Sequence, residues 1–172
     1  RRGCIIGTGV VGSYRGVSSG MVDRDDIKSS YVLAGYDYWL GKQRMLADPD
    51  MLPARRDLDP LMEVPRLAPR MMLKDVQQDP LDFRYRLVGT ALRRHMAQDW
   101  TGQWLSEIPF QRAGSTVWQN NHLVTLQRAP LLARPPYVGP HKEFLYVESI
   151  ILPLADNGQT VDMLMFFVDF IG

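Results

Sequence analysis

The chain has 172 residues, the size of one domain with a short extension, so a two-domain enzyme is excluded. Hydrophobic residues make up 45% and charged residues 23%, which matches a globular protein with one core and excludes disordered, collagen-like and coiled-coil chains. Twenty Lys and Arg against 19 Asp and Glu leave a net charge of +1, too little basic excess for a nucleic-acid partner.

Residues 1–20 differ from the rest: they hold six of the 14 glycines, three arginines and no acid. Without them the remainder carries 17 basic and 19 acidic residues, a charge of −2. The change of composition at Met21 predicts a natural start there, with an extension before it. Gly7-Thr8-Gly9-Val10-Val11-Gly12 matches the dinucleotide-binding pattern G-x-G-x-x-G. Only Ile5 and Ile6 are available for the preceding strand, however, and Gly16 and Gly20 interrupt any helix after it. Gly16-Val17-Ser18-Ser19-Gly20 matches the nucleophile elbow G-x-S-x-G, again without the strand and helix it needs. A glycine- and serine-rich arm accounts for both. Cys4 is the single cysteine, so there is no internal disulfide, no cysteine-rich zinc site and no Cys-x-x-Cys pair, which fits a reducing cytoplasm. The apolar run at Cys4-Ile5-Ile6 is too short for a signal peptide, and the strongest later one, Val161 to Ile171, is broken by Asp162 and Asp169 and spans no membrane.

From Asp25 and Asp26, read as first-turn or capping acids, a helical pattern runs over residues 27–48, with Ile27, Tyr31, Ala34, Tyr38, Gly41 and Met45 on one face. Leu33, Tyr36, Trp39 and Leu40 widen the apolar surface beyond what one sheet needs, so part of it is expected to meet a partner chain. Pro49, Pro53, Pro60, Pro65 and Pro69 then impose an extended strap. Met71 to Val76 and Phe83 to Val88 read as strands, with Phe83, Tyr85 and Leu87 pointing to the core. A helical stretch from Thr90 to Gln98 follows Gly89. Ser115 caps a longer helix to about Arg128, with Val117, Trp118, His122, Leu123 and Leu126 on its apolar or amphipathic side. Leu131 to Val138, Phe144 to Leu154 and Val161 to Phe170 are three further strands, the last two joined by the turn Asp156-Asn157-Gly158.

The last strand, Met163-Leu164-Met165-Phe166-Phe167-Val168, is apolar on both alternating faces, so both sides of the sheet are expected to be covered. The central helices supply one cover, and the N-terminal helix or a second subunit the other. Met163 and Met165 read either as the wall of an adaptable cavity or as plain core. His95, His122 and His141 lack the i, i+4 spacing of a helical metal site. His122, one turn after Trp118, reads as a pocket residue, a haem ligand or an amphipathic packing residue. The carboxylates form no general-acid and general-base pair, since Asp57 and Asp59 sit in a proline-flanked turn. No catalytic residue is named, and no enzyme is expected.

The order of two strands, helices and three strands, with a long closing hairpin, resembles a PAS domain. Residues from about Tyr31 to Phe170 are similar to a family of small stand-alone bacterial PAS proteins, on Tyr36-Asp37-Tyr38-Trp39, Leu52 to Pro60, Phe83 to Thr90, Asp99-Trp100-Thr101-Gly102 and Glu148 to Gly158, with Ala97 and Arg70 as departures. The resemblance implies an α+β fold: a PAS-like five-stranded antiparallel sheet with helices on one face and an N-terminal helix. It divides the chain into an extension at 1–26, the helix at 27–48 and the PAS-like domain at 49–172. It also implies a cytoplasmic sensory or regulatory module that holds a small organic ligand and signals through protein contacts, as a homodimer or to a signalling partner. Tyr85, Trp104, Trp118 and Tyr146 are expected to wall the ligand site, with His122, Met163 and Met165 beside them. A cysteinyl flavin adduct is excluded because the PAS region has no cysteine, and haem would require His95 or His122. The alternatives are a ligand-free dimerisation or partner-docking module and, last, a nucleotide-dependent oxidoreductase using Gly7 to Gly12.

Overall fold

The computed structural model describes residues 21–172, so the two glycine motifs and Cys4 lie outside the described residues. The first regular element is a 3-10 turn at Arg24–Asp26, where Asp23 rather than Asp25 or Asp26 acts as the cap. Helix α1, Ser30–Arg44, starts at Ser29, whose Oγ accepts hydrogen bonds from Tyr31 N and Val32 N. Lys42 and Arg44 close it, where cations suit the negative end of the helix dipole. Its buried residues are Val32, Gly35, Tyr36, Trp39 and Leu40, which corrects the face expected from the sequence: Tyr31, Gly41 and Met45 are exposed. Both stripes have helical spacing. The one carrying the larger rings and the closest backbone approach went inward.

Gly35 makes that approach possible. A Cβ placed on it would stand 2.2 Å from Phe167 Cγ and 2.7 Å from Phe167 Cβ. Phe167 is itself buried in the sheet and has no room to retreat. Gly35→Ala is therefore expected to lower stability by about 1–3 kcal/mol through overpacking, although alanine is the better helix former by about 1 kcal/mol. A urea midpoint equal to or above that of the wild type would show that α1 docks elsewhere.

The proline-rich strap contains the short helix α2, Pro60–Glu63. Leu52, Leu58 and Leu67 of the strap are buried, and Glu63 accepts from Tyr38 Oη and Lys42 Nζ, both at 2.5 Å, which ties the strap to α1. Strands β1, Met71–Gln78, and β2, Leu81–Val88, form the first hairpin. Its register shifts after Leu73: Leu73 pairs with Leu87 and Lys74 with Tyr85, leaving Arg86 as the extra residue of a bulge. The bulge turns Leu87 outward and Val88 inward, which corrects the plain alternation expected there. Helix α3 covers only Thr90–Arg93, shorter than expected. Helix α4, Thr116–Gln127, is capped by Ser115 Oγ and ends at Arg128 in the left-handed region, φ 55°. Strands β3, Leu131–Ala133, β4, Tyr146–Leu154, and β5, Met163–Ile171, complete the chain. Pro135 and Pro136 cut β3 short of its expected length, because proline lacks the N–H a ladder needs. The β4–β5 connection is a longer loop in which Asn157 Oδ1 accepts from Gln159 N and Thr160 N, not a two-residue turn.

The strands form one antiparallel sheet in the order β2-β1-β5-β4-β3, so the fold is α+β with the PAS-like five-stranded arrangement. Side chains alternate across it. Phe167 belongs to the side covered by α1, whose Trp39 Nε1 donates to the backbone oxygen of Pro153 at 3.0 Å. Phe166, Val168, Ile151 and Met72 face the other side, towards α3 and α4. Both faces of β5 are buried for this reason, and the second cover is the chain's own helix.

Candidate functional site

A cavity of about 300 Å³ lies between the α4 side of the sheet and the segments that cross it. Its floor is Met72 and Lys74 of β1, Tyr85 of β2, Val147, Ser149 and Ile151 of β4, and Phe166, Val168 and Phe170 of β5. Leu92, His95 and Met96 wall one side, and Val117, Asn120 and Asn121 of α4 another. The segment after β3, from Pro135 to Gly139, forms the roof.

Lys74 is the anomaly of this floor. It sits mid-strand at 1% exposure, and its Nζ has neither an ion pair nor a hydrogen bond among the described residues. Two aromatic rings are its neighbours, Tyr85 at 4.6 Å and Phe166 at 4.8 Å from Nζ to ring centroid. Burial alone lowers its pKa from 10.5 to about 7. Asn121, 1% exposed, stands on α4 with its Nδ2 unpartnered among the described residues. Tyr85 is satisfied: its hydroxyl donates to Gln111 Oε1 at 2.6 Å, and burial raises its pKa. No Asp or Glu lines the cavity. Lys74 is thus the charged donor of a largely apolar space whose other polar side chains without a partner among the described residues, Asn120, Asn121 and Ser149, are neutral.

The roof is held by aromatic packing around His95. Its ring stacks on Phe170 at 3.7 Å, and Tyr137, His141 and Phe144 pack around it with centroids 5.1–5.7 Å away. His95 Nδ1 and Tyr137 Oη are 2.8 Å apart. Burial, then His141, Arg70 and Arg94, lower the His95 pKa, against an opposing pull from Glu143. A base with a lowered pKa when packed contributes stability that is present above its free value, about 6.5, and is lost as pH falls from there through its lower folded value. Amide exchange over residues 137–145 is accordingly expected to quicken, after correction for intrinsic rates, between pH 7.5 and 5.5. Unchanged protection would show that the His95 cluster does not hold the roof.

Of the residues expected at a ligand site, the structure places Tyr85 on the cavity and the other six elsewhere. Tyr146 alternates with the lining residue Val147, and Met163 and Met165 with Leu164 and the lining residue Phe166, so all three face the α1 side. Trp118 packs edge-on against Phe83 at 5.2 Å. Trp104 lies outside the sheet edge, bridged to Arg84, whose guanidinium stands 5.2 Å from its ring. His122 is exposed on α4, as is Leu126, because the inward stripe of that helix is Val117, Asn121 and Val124. Haem does not fit these residues: His122 is off the cavity, and the rings of Phe170, Tyr137, His141 and Phe144 occupy the space around His95 that a macrocycle would need.

Sequence reasoning missed Lys74 and Asn121. A signal existed for each. Lys74 shares a face with Met72 and Val76 in a strand hairpinned into a sheet expected to be covered on both faces, so its side chain had to enter a covered layer. Asn121 stands at i+4 from Val117 and i−3 from Val124, within an apolar stripe.

On the opposite face Glu148, 0% exposed, accepts from Lys28 N at 3.0 Å, Ser29 N at 2.7 Å and Arg134 Nε at 2.9 Å. Ser29 Oγ donates to Asp169 Oδ2 at 2.6 Å, and Asp169 also pairs with Arg70. Arg134 reaches Asp26 O as well. Its chain neighbours Ala133 and Pro135 line the cavity, so one short segment touches both the roof and the start of α1.

No family model and no curated protein matches the sequence. Among solved structures, the chain is similar to a sensory box sensor histidine kinase from Vibrio cholerae, with a TM-score of 0.45 and 14% identity over 59% of this chain and 81% of that one. Among the described residues no helix is long and apolar enough to cross a membrane.

Proposed function

We propose that the protein is a non-enzymatic sensory or regulatory module of the PAS type, which holds a small organic molecule in the cavity on the α4 side and reports its presence through protein contacts at α1. The observation that carries this reading is the cavity itself: an apolar space of about 300 Å³ in which two nearly fully buried donors, Lys74 Nζ and Asn121 Nδ2, have no hydrogen-bond partner among the described residues. Buried polar groups are normally satisfied, and donors left open towards a cavity are what a ligand's acceptors complete.

The route out of the cavity runs through Arg134. Period-two alternation puts Ala133 and Pro135 on the cavity and Arg134 on the other side, against Glu148 and the backbone that begins α1. A ligand that shifts the roof shifts Arg134 with it. The output is then carried by α1, to a second copy of the chain or to a signalling partner.

Native mass spectrometry of freshly purified protein beside its denatured spectrum tests the reading. A mass lost on denaturation, together with slower amide exchange at residues 28–33 in the loaded form, is the expected result. A bare protein whose cavity admits no small molecule would transfer the reading to the ligand-free docking module.

A further inference from the structure

We infer that the cavity takes a small monocarboxylate with an apolar body, its carboxylate held by the Lys74 ammonium and the Asn121 amide. This rests on the reading of the cavity as a ligand site. The lining is Met72, Leu92, Met96, Val117, Phe166 and their apolar neighbours, so most of the ligand surface must be hydrocarbon. Among the described residues Lys74 Nζ and Asn121 Nδ2 have no hydrogen-bond partner, and the Lys74 cation stands 4.6 and 4.8 Å from two ring centroids. A cation buried without a counter-ion is costly, and an anionic acceptor offsets that cost where a neutral ligand does not. The other titratable groups on the cavity are Tyr85, His95 and Tyr137, and none of them supplies a negative charge: Tyr85 is kept protonated by burial, and His95 and Tyr137 bond to each other. At roughly 30 Å³ per small group, the space admits about ten non-hydrogen atoms, the size of a medium-chain fatty acid.

The charge state makes the inference measurable. Burial holds Lys74 near a pKa of about 7, so above that pH the empty cavity contains an amine. A carboxylate that binds the ammonium must then bring a proton with it. Octanoate and octan-1-ol are the probes, titrated by calorimetry into the full chain at pH 6.5, 7.5 and 8.5 in buffers of different ionisation heat. For octanoate the expected result is uptake approaching one proton at pH 8.5 and a Kd that rises up to about tenfold per pH unit above 7. Octanol is expected to bind more weakly, without proton uptake or pH dependence. Lys74→Met, which keeps the length and removes the charge, should weaken octanoate roughly ten- to hundredfold and leave octanol unchanged. Octanol binding as tightly as octanoate, with no proton taken up, would overturn the carboxylate assignment and leave the ligand site standing. Binding of neither probe would overturn both. The proton count is read on the wild-type protein, so the test does not depend on the variant folding.

Discussion

Glu148→Ala is expected to destabilise the protein by about 3–5 kcal/mol, the loss found when one member of a buried ion pair is removed. Glu148 is fully buried, and its two oxygens accept from Lys28 N, Ser29 N and Arg134 Nε. Alanine leaves two backbone N–H groups at the start of α1 without an acceptor, each worth about 1–3 kcal/mol when buried. It also frees Arg134, which is 36% exposed and turns to solvent at less expense. The damage is therefore local to the joint between α1 and β4. Equilibrium urea unfolding measures the total, and amide exchange places it: Ser29 and its neighbours should lose protection while β1 and β5 keep theirs. Glu148→Gln retains an acceptor and should cost less than half as much. A change below 1 kcal/mol for the alanine variant would mean that α1 is held by apolar packing alone, and the proposed route through Arg134 would fall with it.

Lys74→Met should act in the opposite direction, raising stability by about 1–4 kcal/mol below pH 7, as when a buried charge gives way to a hydrocarbon of similar shape. Methionine follows the lysine stem between Tyr85 and Phe166 and keeps the sulfur against the rings. The pH dependence identifies the cause. Folded, Lys74 titrates near 7, and unfolded near 10.5. Between those values the unfolded chain binds the extra proton, so wild-type stability rises with pH by up to about 1.4 kcal/mol per unit. Below 7 both states are protonated and the buried charge exacts its full penalty. The variant lacks this slope, so its advantage should be largest at pH 6 and shrink towards pH 9. Chemical denaturation at four pH values measures it. A variant no more stable than wild type at pH 6 would show that the ammonium is solvated in the folded protein. A gain in stability joined to a loss of octanoate binding would mark Lys74 as a residue retained for its ligand rather than for the fold.

Local signals in the chain were enough for the order of elements, the Ser115 cap, the proline strap, the first hairpin and the need to cover both sides of β5. Each rests on short-range physics: a side-chain oxygen meeting a backbone N–H, a missing proline donor, an alternation of period two or a helical stripe. What the sequence did not decide is which of two competing faces turns inward. On α1 the stripe of Tyr31, Tyr38 and Met45 competed with that of Val32, Gly35, Tyr36 and Trp39, and the close approach of Gly35 to Phe167 belongs to the second. On β2 the Arg86 bulge reversed the side of Leu87 and Val88. On β4 and β5 the sequence is apolar on both faces, so nothing local tells Met165 from Phe166, and a single step of register separates the α1 side from the cavity.

By itself, then, the sequence determined an α+β chain of this element order with a doubly covered sheet, because those features follow from neighbours along the chain. Only the tertiary structure decided where the cavity lies and that Lys74 and Asn121 stand on it without a partner among the described residues, because that depends on how β1, α4 and the segment after β3 meet across long separations. A lysine in a strand has the same local signature whether its end reaches water or two ring faces. The difference is made by what packs over it.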